Sequence, residues 1–314
     1  MASVYTTIDS LVTTTLVHYA SKVMADNVFD RFGLTWWLKS KGRSKTAPGG
    51  LRIVEPVLLA ENDTVGMIGM YDTIATNAQE GQRLAEYQWK YLAGSVVIAK
   101  AEMNINSGPA AVLNLAKART TQCEQTMTKT LAAQIHGSNV GTDNNMLGLQ
   151  VLIDSGTTTI GEISPSTYTT WVSYEAAAAT LTHSAMRTLK NTLFSQGSRL
   201  DLYVTGLTGF DALEGLVQPQ QRFTDAKMAD AGFHNLMFGG IPCMLDGGTA
   251  SGVLYAIDSS AMNLTAHSDF GNSFKTEGPY EPHNQLTKNW LLWWQGNLTC
   301  NCRRHLGKLT GITG

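Results

Sequence analysis

The chain predicts an α+β fold, and three observations carry that prediction. One long amphipathic helical segment spans residues 109–136. Two extended arms, 51–60 and 85–98, flank a stretch with no helical period. The chain is also strand-rich from Ala261 onward. At 314 residues it exceeds the usual size of a single hydrophobic core, which implies two domains or one domain carrying a large insertion.

Residues 1–48 read as an arm. Leu16, Tyr19, Val23, Val28 and Phe32 fall roughly on one side of a helix over Val12 to Phe32, and the bulky pair Trp36-Trp37 follows. Lys39, Lys41, Arg43 and Lys45 then alternate with small residues in a loop ending at Pro48-Gly49-Gly50. This basic loop is either simply solvated or in local contact with nucleic acid or an acidic patch on a neighbour. Leu51 to Ala60 is strand-like, but Pro56 lacks a ladder donor and confines it to an edge or a free hairpin arm. In the return arm Ala85, Tyr87, Trp89 and Tyr91 alternate with Glu86, Gln88 and Lys90, after which the apolar phase moves to Leu92, Val96 and Ile98. Such a shift marks a bulge or a strand passing from one environment into another. Between the arms lies a Gly-, Asp- and Thr-rich stretch, Glu61 to Gly81. A two-stranded ribbon of this kind is marginal alone, so it is expected to lie on something else.

The 109–136 segment opens at Gly108-Pro109, where proline's missing N–H costs nothing, and Gly137 is expected to close it as a left-handed cap. Val112, Ala116, Cys123, Met127, Leu131 and Ile135 form its apolar stripe, opposite Asn114, Thr121, Gln125 and Lys129. Its length would be roughly 40 Å, enough to pack different elements along one helix. Beyond it, Gly137 to Gly148 is a turn-rich joint and Gly161 to Trp171 a Ser/Thr/Pro loop. A helix over Leu181 to Phe194, a buried strand over Leu200 to Thr205, a short helix over Asp211 to Val217, and strands within Leu236 to Leu245 and Gly252 to Asp258 make this middle region mixed α and β. Leu264 to His267, Ser273 to Thr276 and Trp290 to Leu298 are the later strands, the last dense enough in Trp and Leu to demand burial on both faces. No internal repeat is visible.

Composition narrows the function classes. Charged residues make up only 15% of the chain against 43% hydrophobic. Soluble domains usually carry about 25% charge. A large chain with so thin a charged skin either hides surface against partners or has an uncharged Ser/Thr-rich exterior. The net charge of −2 offers no general attraction for nucleic acid. Cys123, Cys243, Cys300 and Cys302 suggest a reducing compartment, since Cys300-Asn301-Cys302 is too close for an ordinary disulfide or a zinc knuckle. No signal-peptide pattern and no membrane-length apolar run are present, which disfavours a cell-surface adhesive module.

Catalytic patterns are absent: no HExxH, no GxSxG, no phosphate loop and no dinucleotide fingerprint, so neither metal nor cofactor is called for. Asp154-Ser155-Gly156 resembles an aspartic-protease triplet and supports a hydrolase as the competing class, but it needs a second carboxylate, for which Asp246-Gly247-Gly248 is the only mate. Asn62, Asn263 and Asn297 begin formal sequons that mean nothing without a secretory route.

The order of these pieces, together with Trp36-Trp37-Leu38-Lys39, Gly49-Gly50, Ile53-Val54-Glu55-Pro56, Gln221-Arg222-Phe223-Thr224, Met228 to Phe233, Gly296-Asn297-Leu298-Thr299 and Gly307 to Gly311, resembles the major capsid proteins of tailed bacteriophages, which have the Hong Kong 97 capsid fold. The resemblance spans essentially the whole chain. It implies an N-terminal arm (1–48), an extended hairpin loop (49–91) lying across a neighbouring subunit, and a peripheral domain (92–144 and 260–314) containing the spine helix. It also implies an axial domain (145–259) meeting its copies around five- and six-subunit rings. The implied function is non-enzymatic: self-assembly into an icosahedral shell around double-stranded DNA. The location would be the virion, after assembly in the host cytoplasm, with portal, scaffold and decoration proteins as further partners and no membrane. Trp89 and Tyr91 are then expected to anchor the hairpin, Arg52, Glu55, Arg83 and Glu86 to set register between neighbours, and Lys39, Lys41, Arg43 and Lys45 to meet packaged DNA weakly or a neighbour. The chain departs from the pattern in starting directly at the arm and in lacking any mark of a lysine–asparagine crosslink.

Overall fold

The structure, a computed structural model, describes residues 33–105, 115–217, 235–270 and 273–313. Its helices and strands in chain order are α1 (Gly33–Ser40), β1 (Ser44–Ala47), β2 (Ile53–Leu58), β3 (Gln82–Tyr87), β4 (Lys90–Ala99), α2 (Lys100–Ile105), α3 (Leu115–His136), α4 (Leu149–Leu152), β5 (Tyr174–Ala177), α5 (His183–Ser195), β6 (Leu202–Thr205), α6 (Leu207–Val217), β7 (Asn235–Phe238), β8 (Ile241–Leu245), β9 (Leu254–Ile257), β10 (Met262–His267), β11 (Lys275–Tyr280), β12 (Thr287–Cys300) and β13 (Gly307–Thr310). The mixed α+β class is as the sequence predicts. The expected helix over 12–32, the proline-led start of the 109–136 segment and the 221–233 stretch lie outside the described residues.

The chain divides into two compact units. The described part of the first comes from Tyr91–Leu131 and Asn272–Gln295. Here β12 pairs with both β11 and β4. In β4 the even-numbered positions Gly94, Val96 and Ile98 turn inward, while Tyr91 and Val97 stay exposed. Val96 and Ile98 pack with Met127 of α3 and Leu292 of β12, with Cys123 alongside. A Cβ on Gly94 would lie 2.7 Å from the Cys123 sulfur, so the glycine lets the helix settle onto the strand.

The second unit comprises Arg31–Lys90, Ala132–Gly271 and Gly296–Gly314. Its six-stranded sheet runs β5-β13-β9-β6-β8-β7. The helix α5 packs on β13 and β5 through Met186, Leu189 and Leu193, and α6 packs on β8 and β6 through Phe210 and Leu213. Thr182 caps α5, its side chain accepting from Ala185 N–H at 3.1 Å. Separately, β1 runs parallel to β10, and β10 pairs antiparallel with the 296–300 end of β12.

Two buried charged groups tie distant segments of this unit together. Arg303, fully buried, donates to the carbonyls of Leu152 (3.1 Å), Trp171 (3.0 Å) and Asp154 (3.2 Å). Asp246, also fully buried, accepts from the N–H of Leu34 at 2.7 Å, holding the first turn of α1, and from Gly248 N–H at 2.9 Å. His136, at the end of α3, lies 3.5 Å from the same carboxylate. Burial alone would raise the Asp246 pKa, but His136 and the two amide donors outweigh it and hold the group below its ordinary value. The contribution of a depressed carboxyl is fully present above the unfolded value, about 4, and is lost as pH falls through the lower folded value. Melting temperature is therefore expected to fall on acidification below about pH 4. Asp246→Asn should lower it at neutral pH and flatten the acid limb, as thermal melts over a pH series would record.

Three sequence expectations are corrected. The Lys39 to Lys45 stretch is a loop only over residues 41–43: Lys39 lies in the last turn of α1 and Lys45 in β1, because β10 supplies a partner edge that composition does not reveal. Gly137 is not left-handed; its N–H closes the last turn on the Gln134 carbonyl at 3.2 Å, and its own carbonyl, outside the helix, takes the N–H of Gln150 at 3.3 Å. The Trp290 to Leu298 strand is buried on both faces only from Gly296; before that it alternates, with Leu291 exposed and Leu292 buried. The sequon residues Asn263 and Asn297 are themselves buried.

Candidate assembly surface

The hairpin of β2 and β3 pairs from Ile53↔Tyr87 to Leu58↔Gln82, with Pro56 opposite Leu84. A two-stranded ribbon tolerates Pro56 because its outer edge needs no donor. One face is buried through Ile53, Val57, Ala85 and Tyr87, and the other leaves Val54, Leu58 and Leu84 in solvent. After Tyr87 the chain leaves this ribbon and Lys90 starts β4, which explains the change of apolar phase near Tyr91. The root is held by Trp89, whose indole N–H donates to Gly50 O at 2.9 Å and whose ring meets His267 edge-on at 5.8 Å. Gly49 and Gly50 have φ of 110° and 107°, a region where a side chain is strained.

Beyond the ribbon, residues 59–81 form no regular element, and Val65, Met67, Ile68, Met70, Tyr71 and Ile74 project into solvent, Met70 at 92% and Tyr71 at 93% exposure. Four acids, Glu61, Asp63, Asp72 and Glu80, and no base share this tip. Contiguous exposed apolar side chains mark an interaction surface. Sequence periodicity missed them because an uncovered loop has no period; the available signal was Met, Ile and Tyr density inside a segment of loop composition.

The residues singled out from sequence have these places. Arg52 pairs with Glu86 at 2.8 Å and lies 3.6 Å from Glu162. Arg83 donates to the Tyr168 hydroxyl at 2.9 Å. Glu55 accepts from Thr299 at 3.2 Å and lies 3.6 Å from Lys45. Tyr91 is 67% exposed. Lys41 lies 3.6 Å from Asp201 and over the Trp37 ring, Arg43 is half-buried, and Lys39 is exposed. Arg52, Glu55, Arg83, Glu86, Lys41 and Lys45 thus have partners inside the subunit.

The hydrolase pairing fails on geometry. Asp246 is fully buried with its oxygens taken by amides, so it is unavailable as the mate of Asp154. Asp154 instead lies beside Glu175: burial first, then its interaction with that carboxyl, raise its pKa, while Lys308 stands 3.3 Å from Glu175 and 3.8 Å from Asp154. Among the described residues no group of His, Cys, Asp and Glu is arranged to hold a metal ion, and no helix is long and apolar enough to cross a membrane. All four cysteines are free thiols.

No protein-family model matches the chain, and no curated protein matches it in sequence. Solved structures do match in shape. The capsid asymmetric unit of cyanophage A-1(L) has a TM-score of 0.74 at 15% identity, covering 94% of this chain and 98% of the other. The capsid of the Myoviridae phage XM1 has a TM-score of 0.60 at 12% identity, covering 94% and 96%. The SrpI encapsulin complex of Synechococcus elongatus has a TM-score of 0.57 at 10% identity, covering 93% of both.

Proposed function

Since the chain has the fold of these capsid subunits, we propose that it is the major capsid protein of a tailed phage. Many copies would close into an icosahedral shell around double-stranded DNA. The observation that carries this reading is a shape match extending over nearly the whole of both chains. The exposed apolar tip at 59–81 supports it, since a free monomer has no use for such a surface. In this reading 1–48 is the arm, 49–91 the extended loop, 92–144 with 260–314 the peripheral domain and 145–259 the axial domain. The loop of one copy lies on its neighbour, with Tyr91 and the tip as apolar anchors. Five- and six-subunit rings close the shell through many moderate contacts reinforced by avidity. Lys39, Lys41, Arg43 and Lys45 would contribute weak, salt-sensitive contact with packaged DNA or with a neighbour. The particle would assemble in the host cytoplasm with portal, scaffold and decoration proteins and reside in the virion.

A second reading, an encapsulin-type shell with no packaged genome, is favoured by the Synechococcus elongatus match. Electron microscopy of the purified protein, with nuclease-protected DNA measured on particles from an infected or induced host, tests both. Closed shells protecting DNA support the capsid; closed shells without DNA favour the second reading; monomers at every concentration overturn both.

Glu86 offers a finer test. Glu86→Lys places a cation against Arg52, 2.8 Å away in the same chain, and is expected to hinder particle formation while leaving the subunit folded. Exchanging the pair, Arg52→Glu with Glu86→Lys, restores the attraction between positions 52 and 86, and adding Glu162→Gln removes the repulsion a carboxylate at position 52 would otherwise meet 3.6 Å away. If Glu86 also sets register between neighbours, the exchanged pair stays assembly-defective by sedimentation; full recovery assigns both residues to the subunit alone.

A further inference from the structure

Among the described residues Glu162 is the one non-glycine with positive φ, at 60°, and Gly161 before it has φ of 64°. Ile160 and Ile163 bridge across them, so 160–163 is a tight turn with both central residues left-handed, a conformation that strains a glutamate. Strain of this kind persists where the surroundings over-determine it.

The turn sits against the buried face of the hairpin. A Cβ on Gly161 would lie 3.0 Å from Ala85 Cβ and 3.2 Å from the Tyr87 ring, so only glycine lets the backbones approach this closely. The Gly161 carbonyl accepts the Glu86 N–H at 3.0 Å, and the Glu162 carboxylate stands 3.6 Å from Arg52. Farther along the same loop, Tyr168 accepts from Arg83 at 2.9 Å and Thr170 donates to Leu59 O at 2.6 Å. These fasteners reach the hairpin at its root, on its return strand and where its outgoing strand gives way to the tip.

We propose that the 160–171 loop is a bracket that fixes the direction in which the hairpin leaves its own subunit and so sets the spacing and curvature of the assembled shell. Glu162, Tyr168 and Thr170 are positioning residues, acting through the hairpin and not touching the neighbour. The proposal rests on the capsid reading above.

The test compares wild type with Tyr168→Phe/Thr170→Val and, separately, with Glu162→Gly, which removes the carboxylate while relieving the backbone. Amide exchange over 82–87 is measured in subunits kept below the assembly concentration, and particle diameters are measured by electron microscopy. Loosening the bracket should speed exchange in that segment at least about tenfold. It should broaden the diameter distribution or leave shells open, with the melting temperature little changed. Unchanged exchange overturns the bracket, as does faster exchange with wild-type diameters. If the double variant fails to fold, Glu162→Gly carries the same readouts on an unstrained backbone. Should wild type form no shells, the capsid reading falls, and the exchange comparison still decides whether the loop holds the hairpin.

Discussion

Replacing Met67, Met70 and Tyr71 together by serine is expected to abolish particle formation while the subunit stays folded. All three side chains are almost fully exposed, so the isolated subunit loses no core packing, and the change in its stability should stay within about 0.5 kcal/mol. The loss falls on association. Each of these side chains, buried against another copy, is worth on the order of 2 kcal/mol, and every subunit in a closed shell repeats the contact. The critical concentration should therefore rise out of the accessible range. Light scattering and electron microscopy would show soluble subunits whose melting curve overlays the wild type. Normal shells from this variant would mean that the tip contributes nothing to assembly.

The second large effect is on stability. Arg303→Ala is expected to cost on the order of 3–5 kcal/mol, because it leaves the carbonyls of Leu152, Trp171 and Asp154 without their buried donor and removes a fully buried side chain. For a body of this size that corresponds to a melting temperature lower by roughly 10 °C. Arg303→Lys should recover only part of the loss, since one ammonium cannot reproduce the three-way fork of a guanidinium. Calorimetry on the three proteins decides the matter; an alanine variant within 2 °C of wild type, on the order of a single surface substitution, would show that the hub is dispensable.

These two sites differ in how far the sequence foretells them. The ribbon arms were legible because a period-two pattern broken near Tyr91 has few physical causes, and the structure supplies one: the strand leaves the hairpin sheet and enters a second one. The long helix was legible through Cys123, Met127, Leu131 and Ile135, all turned away from solvent to some degree. Its end differs from the sequence expectation because the Gly137 N–H closes the last turn on Gln134 without a left-handed φ, and Gln150, thirteen residues on, holds the Gly137 carbonyl in a contact no local pattern announces. The buried hubs were not legible at all. Leu34 and Asp246 are 212 positions apart, and Arg303 and Leu152 are 151 apart, so no local pattern announces either pairing. The apolar tip was hidden for the opposite reason, since its partner surface is not in the same stretch of chain and imposes no period on it.

The hairpin's resting place can be read directly by placing a photo-activated crosslinking side chain at Tyr71 and irradiating assembled particles built from two subunit populations of different mass. The capsid account predicts crosslinks joining the two masses, extending into ladders, with the tip attached to the surface of another copy. Crosslinks confined to the parent chain, whatever the particle's outward form, would contradict it.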